Sequence, residues 1–481
     1  MTRYDKNNEP ASTPTRRDFF ARMSDGLCGA AIASMLGTDL RAATARQPYD
    51  LSPKPTHFAA RAKAVIQFFM SGGPSQVDLL DPKPALTKHA GDLPRAFLDN
   101  VESVGAAGGL MPSPFTFARR GRSGIWMSDV LPHLAECADE LAVIRSMWTT
   151  HFNHEPAIFK MHGGRALPGA PTLGAWAVYG LGSENRDLPA YVALDDPARM
   201  IIGGVKNWQS GWLPPVYQGT RLRSIGTPIV NLRPSEETPS EVAALSRALL
   251  DRMAAEHRAQ RPGYPDLDAR IASYEMAARM QISATDALDV DRESTVTQEQ
   301  YGLHDKVTAS YARRCLMARR LIERGVRIVQ VFMNCPAGNN PWDHHSDLEG
   351  GLRQCCAATD RPIAALLKDL KQRGLLDETL VIWGGEFGRL PLSQGGTGRD
   401  HGANGFSIWM AGGGVKGGTT YGATDAFGYH AVEDRVSVHD FHATLLHLLG
   451  LDHESLVYNH HGLDEKLTGV EPARVVHGIL A

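Results

Sequence analysis

The stretch TLVIWGGEFGRLPLSQGGTGRDHGANGFSIWM, residues 379–410, decides how the fold is read. It opens on an apolar run, Thr379 to Trp383, of the kind carried by a strand buried on both faces. Gly384 and Gly385 end the run and let the backbone turn sharply. Glu386-Phe387-Gly388-Arg389 follows, then Arg399-Asp400-His401-Gly402, then a second apolar run from Phe406 to Met410. A strand that exits into a Gly-rich loop bearing Glu, Arg, Asp and His fits an α/β sheet with its chemistry at the carboxyl ends of the strands.

The same grammar recurs outward from this stretch. Val65 to Met70 is an apolar run that opens into Ser71-Gly72-Gly73, and Leu141 to Arg145 is another. Ser310 to Arg324 has a helical apolar period, stops at Gly325 and leads into the run Val326 to Met333. Leu352 to Arg373 is a long amphipathic helix closed by Gly374, just ahead of Thr379. This alternation predicts an α/β fold with a mainly parallel sheet. Pro234 to Asp291 departs from it, being helical almost throughout and broken at Arg261-Pro262-Gly263. That region predicts an αα-hairpin, a helical insertion at about 234–291 in a single domain that spans 46–481. Gly412-Gly413-Gly414-Val415-Lys416-Gly417 matches G-x-G-x-x-G, but no helix follows to cradle a phosphate, so it reads as a turn.

Composition bounds the function. The 481 residues are 43% hydrophobic and 21% charged, as in a globular chain, and the net charge of −3 gives no field for nucleic acid. Thr15-Arg16-Arg17-Asp18-Phe19-Phe20, a short apolar stretch from Met23 to Leu36, and Ala43-Thr44-Ala45 together predict a twin-arginine signal peptide. Residues 1–45 are then removed, and the product is periplasmic or extracellular, delivered by the twin-arginine export machinery. No segment is long and apolar enough to predict a membrane span. Cys137, Cys315, Cys335, Cys355 and Cys356 show no C-x-x-C pair and predict mostly buried thiols, with Cys335 to Cys355 or Cys356 as the one bridge to consider.

Each polar cluster follows a strand. Asp78 and Asp81 follow the first run; Thr149-Thr150-His151-Phe152-Asn153-His154-Glu155 follows the second. Trp342-Asp343-His344-His345 follows the run Val326 to Met333, and Glu386, Arg389, Asp400 and His401 follow Thr379 to Trp383. Carboxylates and imidazoles converging on one rim predict a site for a divalent cation. His439 and His442 sit at a helix start and His460-His461 near the C-terminus, and both pairs read as ordinary structure.

Together the motifs FFMSGGPSQVDLLDPKP, SMWTTHFNHEPAIFKMHGG, PTLGAWAVYGLGS, NPWDHHSDL, GGEFGRLP, GRDHG and VHDFHATLLHLLGLDHESL resemble the exported bacterial family named domain of unknown function 1501, over nearly the whole mature chain. That family is described as sulfatase-like, within the alkaline phosphatase superfamily. The resemblance implies a three-layer α/β/α sandwich of alkaline-phosphatase type holding one or two divalent metals (Zn, Mn or Ca) and acting on a phosphate or sulfate ester. The ester is that of a small molecule or a polysaccharide.

Position by position, the resemblance implies that Asp343 with His344 or His345, Glu386, and His401 with Asp400 are metal ligands. It also implies that Arg389 or Arg399 neutralises an anionic substrate. Thr150 is the candidate nucleophile and His154 a ligand or base. The chain departs from the superfamily where its first strand ends in Met70-Ser71-Gly72-Gly73 without the usual Asp, for which Asp78 is the replacement to consider. It also lacks a C-x-P-x-R or S-x-P-x-R signature. Two readings follow: a metal-dependent ester hydrolase, or a catalytically degenerate member serving in binding or surface assembly.

Overall fold

Strand direction places the polar loops. The computed structural model describes residues 51–100, 107–195, 200–224, 239–261, 264–333 and 340–481. The strands that matter here are, in chain order, β1 (Ala64–Phe69), β2 (Leu141–Trp148), β3 (Tyr191–Asp195), β4 (Thr220–Arg223) and β5 (Ile328–Phe332). They continue with β6 (Thr379–Gly384), β7 (Gly388–Gln394), β8 (Gly398–Gly402), β9 (Phe406–Ala411) and β10 (Thr419–Tyr421). The central sheet runs β10-β2-β9-β6-β1-β5-β3-β4, with a two-residue strand, Val436–Ser437, also beside β2. β1 lies parallel between β5 and β6, with Val65 opposite Ile328 and Leu380.

β9 alone in this order runs antiparallel to both neighbours, β2 and β6. The chain therefore leaves β6 at the carboxyl edge and re-enters through β9 at that same edge. Everything between, residues 385–405, is held at the rim. The sequence predicts a loop here. The segment is instead a hairpin, with Arg389 of β7 paired to His401 of β8. A charged Gly-Arg-Asp-His-Gly segment lacks strand patterning, and its polar side chains find partners only through tertiary contacts.

Side chains alternate across the sheet and define two cores. Ile66 and Phe68 face a cluster containing Tyr311 and Leu316 of α5 (Ala309–Glu323, the fifth of seven helices named here) and Leu352 and Leu366 of α6 (Leu348–Gln372). Val65 and Phe69 face the other cluster, with Ile158 of α1 (His154–Gly163), Trp176 of α2 (Leu173–Leu181) and Phe441 and Leu445 of α7 (Val438–Leu448). Helices cover both faces, which makes a three-layer α/β/α arrangement with a mainly parallel sheet. The predicted insertion appears as α3 (Ser240–Ala259) and α4 (Pro265–Leu288), and α4 buries Met280, Ala287 and Leu288 in the first core.

Leu51–Ala481 clusters as one compact unit. Among the described residues no helix is long and apolar enough to cross a membrane. Cys137, Cys315 and Cys356 are buried free thiols, and Cys355 is buried. The signal peptide, its cleavage site after Ala45, Cys28 and Cys335 lie outside the described residues. So do the start of the insertion at Pro234 and its break at Pro262-Gly263.

Candidate metal centre

Four side chains from three strand exits meet at the carboxyl edge: His154, Asp343, His345 and His401, each offering a ligand atom within 4.8 Å of the others. His154 is the first residue of α1, placed there because β2 ends at Trp148 and the chain turns into the helix after Asn153. Asp343 and His345 lie beyond β5, ahead of α6, whose N-cap Asp347 accepts from the Gly350 N–H at 3.2 Å. His401 comes from the hairpin.

Asp343 is the hub. Its Oδ1 lies 2.9 Å from His345 Nε2, 3.2 Å from His401 Nε2 and 2.6 Å from Arg389 Nη2. Its Oδ2 lies 3.1 Å from His154 Nε2. His345 Nε2 and His401 Nε2 stand 3.0 Å apart. Burial would raise the Asp343 pKa, but the three imidazoles and the Arg389 guanidinium outweigh it and hold the carboxyl well below the ordinary carboxylate range.

The residues fit a divalent cation. Around a tetrahedral ion with bonds of about 2.0–2.1 Å, neighbouring donor atoms stand about 3.3–3.4 Å apart. The separations of 2.9–3.2 Å fall just inside that figure. His154 Nε2 is buried and faces Asp343 Oδ2 at 3.1 Å, so this nitrogen points into the cluster. His154 Nδ1 lies 2.6 Å from Glu386 Oε1, which fixes the tautomer that presents Nε2. Burial acts to lower the His154 pKa, but hydrogen bonds to Asp343 and Glu386 outweigh it and raise it to about 9. Burial holds His401 down at about 4. His345 is raised, chiefly by its hydrogen bond to Asp343.

A second ring of contacts holds the cluster in place. Glu386 is fully buried and its Oε1 also accepts from the Gly72 N–H at 2.9 Å. His345 Nδ1 bonds Gln394 Oε1 of β7. Arg389 donates to the carbonyls of Gly72, Gly73 (3.0 Å) and Arg399 (3.1 Å) as well as to Asp343. Phe387 packs against the rings of His154 and His401, with centroids at 4.9 Å and 4.8 Å.

A family model described as "Protein of unknown function (DUF1501)" matches residues 62–480. The chain belongs to that family. No curated protein matches this DUF1501 chain. Among solved structures it is similar to the lipoteichoic acid synthase LtaP from Listeria monocytogenes (10% identity, 84% of this chain and 77% of that one, TM-score 0.36). It is also similar to the PsFucS1 sulfatase from Pseudoalteromonas sp. (12% identity, 81% and 68%, TM-score 0.34). A third is the alkaline phosphatase of the Antarctic bacterium TAB5 (9% identity, 73% and 92%, TM-score 0.31).

Several residues singled out from the DUF1501 sequence stand elsewhere. Asp78 is fully buried and pairs with Arg399, at 2.7 Å to Nε and 3.2 Å to Nη2, so it is the partner of a guanidinium and stands outside the cluster of four. His344 turns away from its neighbour His345, and its ring packs where a side chain on Gly351 of α6 would lie. Glu386 contacts His154 and stands behind it. Asp400 is buried and its Oδ1 accepts from the His401 N–H at 2.8 Å. Arg389 and Arg399 are enclosed, at 1% and 0% exposure, and neither presents a cation to a ligand. The Thr150 hydroxyl pairs with His151 Nδ1 at 2.8 Å and receives Lys160 Nζ at 2.9 Å. Gln394, which bonds His345, carries no signal in the sequence, because its segment has no strand pattern.

Proposed function

We propose that this protein is an exported, metal-dependent hydrolase of phosphate or sulfate esters. The observation that supports the reading best is the convergence of three imidazoles and one carboxylate, with His154 Nε2 buried and facing Asp343 and its other nitrogen locked by Glu386. His154, Asp343, His345 and His401 would hold the cation. When bound, a divalent ion supplies Lewis-acid polarisation of an ester oxygen and stabilises charge on the leaving oxygen. The chain's own part is positional: Arg389 orients Asp343, Gln394 orients His345, and Glu386 holds His154 Nδ1 so that Nε2 faces the centre. Export rests on the Arg16-Arg17 signal pattern, and a substrate on the small-molecule or polysaccharide scale rests on the family resemblance.

One observation favours the alternative, a binding or surface-assembly role. Both arginines near the centre are enclosed by backbone carbonyls and carboxylates, so neither receives an anionic ester. The test is a screen of aryl phosphates, phosphodiesters and sulfate esters with protein loaded separately with Zn, Mn or Ca. Turnover that disappears in Asp343→Asn supports the hydrolase. Well-folded, metal-loaded protein that turns over none of these would leave the binding role. A reporter fused after residue 45 that fails to leave the cytoplasm would refute export.

A further inference from the structure

Against α1, the helix that begins at His154, lies a cavity of about 460 Å³ that the proposed metal chemistry does not use. It begins at Thr149–Thr150, just before His154, and is closed by the start of α7 and the segment Glu471–Arg474. That volume is within the range of small-molecule sites.

Its lining is arranged around donors. Lys160, on α1, is half-buried, donates to Thr150 Oγ1 at 2.9 Å, has two further ammonium hydrogens and interacts electrostatically with Glu471. The floor carries two buried groups without hydrogen-bond partners: Thr149 Oγ1, and His439 at both ring nitrogens. A buried imidazole with neither nitrogen satisfied is costly unless a ligand or water completes it. Arg474 adds a second cation at the rim.

Acidic groups also border the cavity. Asp440 is hydrogen-bonded locally, its two oxygens accepting from the Ser437 and Arg474 backbone N–H groups at 2.9 Å and 2.8 Å. Glu471 is exposed at the mouth.

We propose that this cavity is an oxyanion-binding site, distinct from the metal centre, that receives a carboxylate, sulfate or phosphate group through Lys160, Arg474 and the floor donors. Its role as a substrate subsite rests on the ester-hydrolase reading: the ester then sits at the metal and a second acidic group of the same molecule sits here, so the substrate is polyanionic.

The experiment titrates full-length protein with sulfate, phosphate and acetate, following Trp148 fluorescence in the cavity wall and binding heat, with glucose as the neutral probe. Saturable binding of at least one anion is expected, weakened tenfold or more in Lys160→Gln with metal content unchanged. Asp343→Asn, which removes a metal ligand, should keep the anion affinity within about twofold. Failure of all three anions to bind would overturn the site, as would equal affinity in Lys160→Gln or glucose binding as tightly as the anions. Loss of anion binding in Asp343→Asn would move the anion onto the metal and also overturn it. A wild-type protein that holds no metal yet binds sulfate through Lys160 would sink the hydrolase reading and leave this site standing.

Discussion

Glu386 Oε1 sits 2.6 Å from His154 Nδ1, so the carboxylate delivered by the strand Thr379–Gly384 reaches the candidate metal through an imidazole. A carboxylate behind a ligating histidine fixes ring orientation and raises ligand basicity, and losing one typically costs 10- to 100-fold in metal affinity. Glu386→Gln keeps the shape and removes the charge. It should weaken metal binding by about tenfold or more, read by competition with a chromophoric chelator, while the circular dichroism spectrum stays native. An unchanged affinity would mean that His154 is not a ligand.

The Asp78–Arg399 pair makes an opposite prediction. Both side chains are fully enclosed, and Arg399 is further held by the Pro391 and Met111 carbonyls, each at 2.9 Å. Breaking a buried pair from one side strands the remaining charge and costs roughly 3–5 kcal/mol. Asp78→Asn should therefore lower the unfolding free energy by about that amount in denaturant titration. Its metal content should match wild type, whereas a true ligand would lose the metal.

These two carboxylates show what the sequence could carry. The apolar runs were legible because a strand buried on both faces is written locally, and the Gly stops marked where each one opens. Asp343, His345 and His401 stood out because their residue types clustered after such runs. Which of His344 and His345 faces the centre depends on a loop's final turn, which no local pattern fixes. The pairing of Asp78 with Arg399 joins residues 321 positions apart and has no local signature. The antiparallel direction of Phe406–Ala411 was equally hidden, since a short apolar run reads the same either way.

The site carries its own pH dependence. The His154 pKa rises from the ordinary 6.5 to about 9 in the folded, metal-free protein, where hydrogen bonds to Asp343 and Glu386 overcome the effect of burial. A proton held more tightly in the folded state stabilises it fully below about pH 6.5, and the contribution is lost as pH rises through about 9. His401, held near 4, stays neutral across that window. Chelated protein should therefore lose melting temperature between pH 6.5 and 9.5. Metal binding displaces the His154 proton, so metal affinity should rise with pH over the same window, by up to about tenfold per unit for one proton. An affinity that is flat from pH 6.5 to 9 would exclude His154 from the ligand set.

The tightest constraint on the centre is a backbone one. Gly72 has φ +115°, and a Cβ there would lie 2.5 Å from the Asp343 nitrogen and 2.7 Å from the Trp342 carbonyl carbon, so the hub's own backbone would have to move. The same glycine donates its N–H to Glu386 and accepts from Arg389 at its carbonyl, and both contacts fix the positions of metal-facing groups. Gly91 serves as the control, since its φ is +86° but nothing lies within 4 Å of the added carbon. Both Gly→Ala changes incur a conformational cost on the order of 1–3 kcal/mol for an unfavourable positive φ. Only Gly72→Ala adds a steric clash with the segment that carries Asp343. Gly91→Ala should lower stability modestly and bind metal as wild type does, whereas Gly72→Ala should lose metal affinity by tenfold or more beyond its loss of stability. If the two variants bind metal equally well, the exit of the first strand does not position the centre.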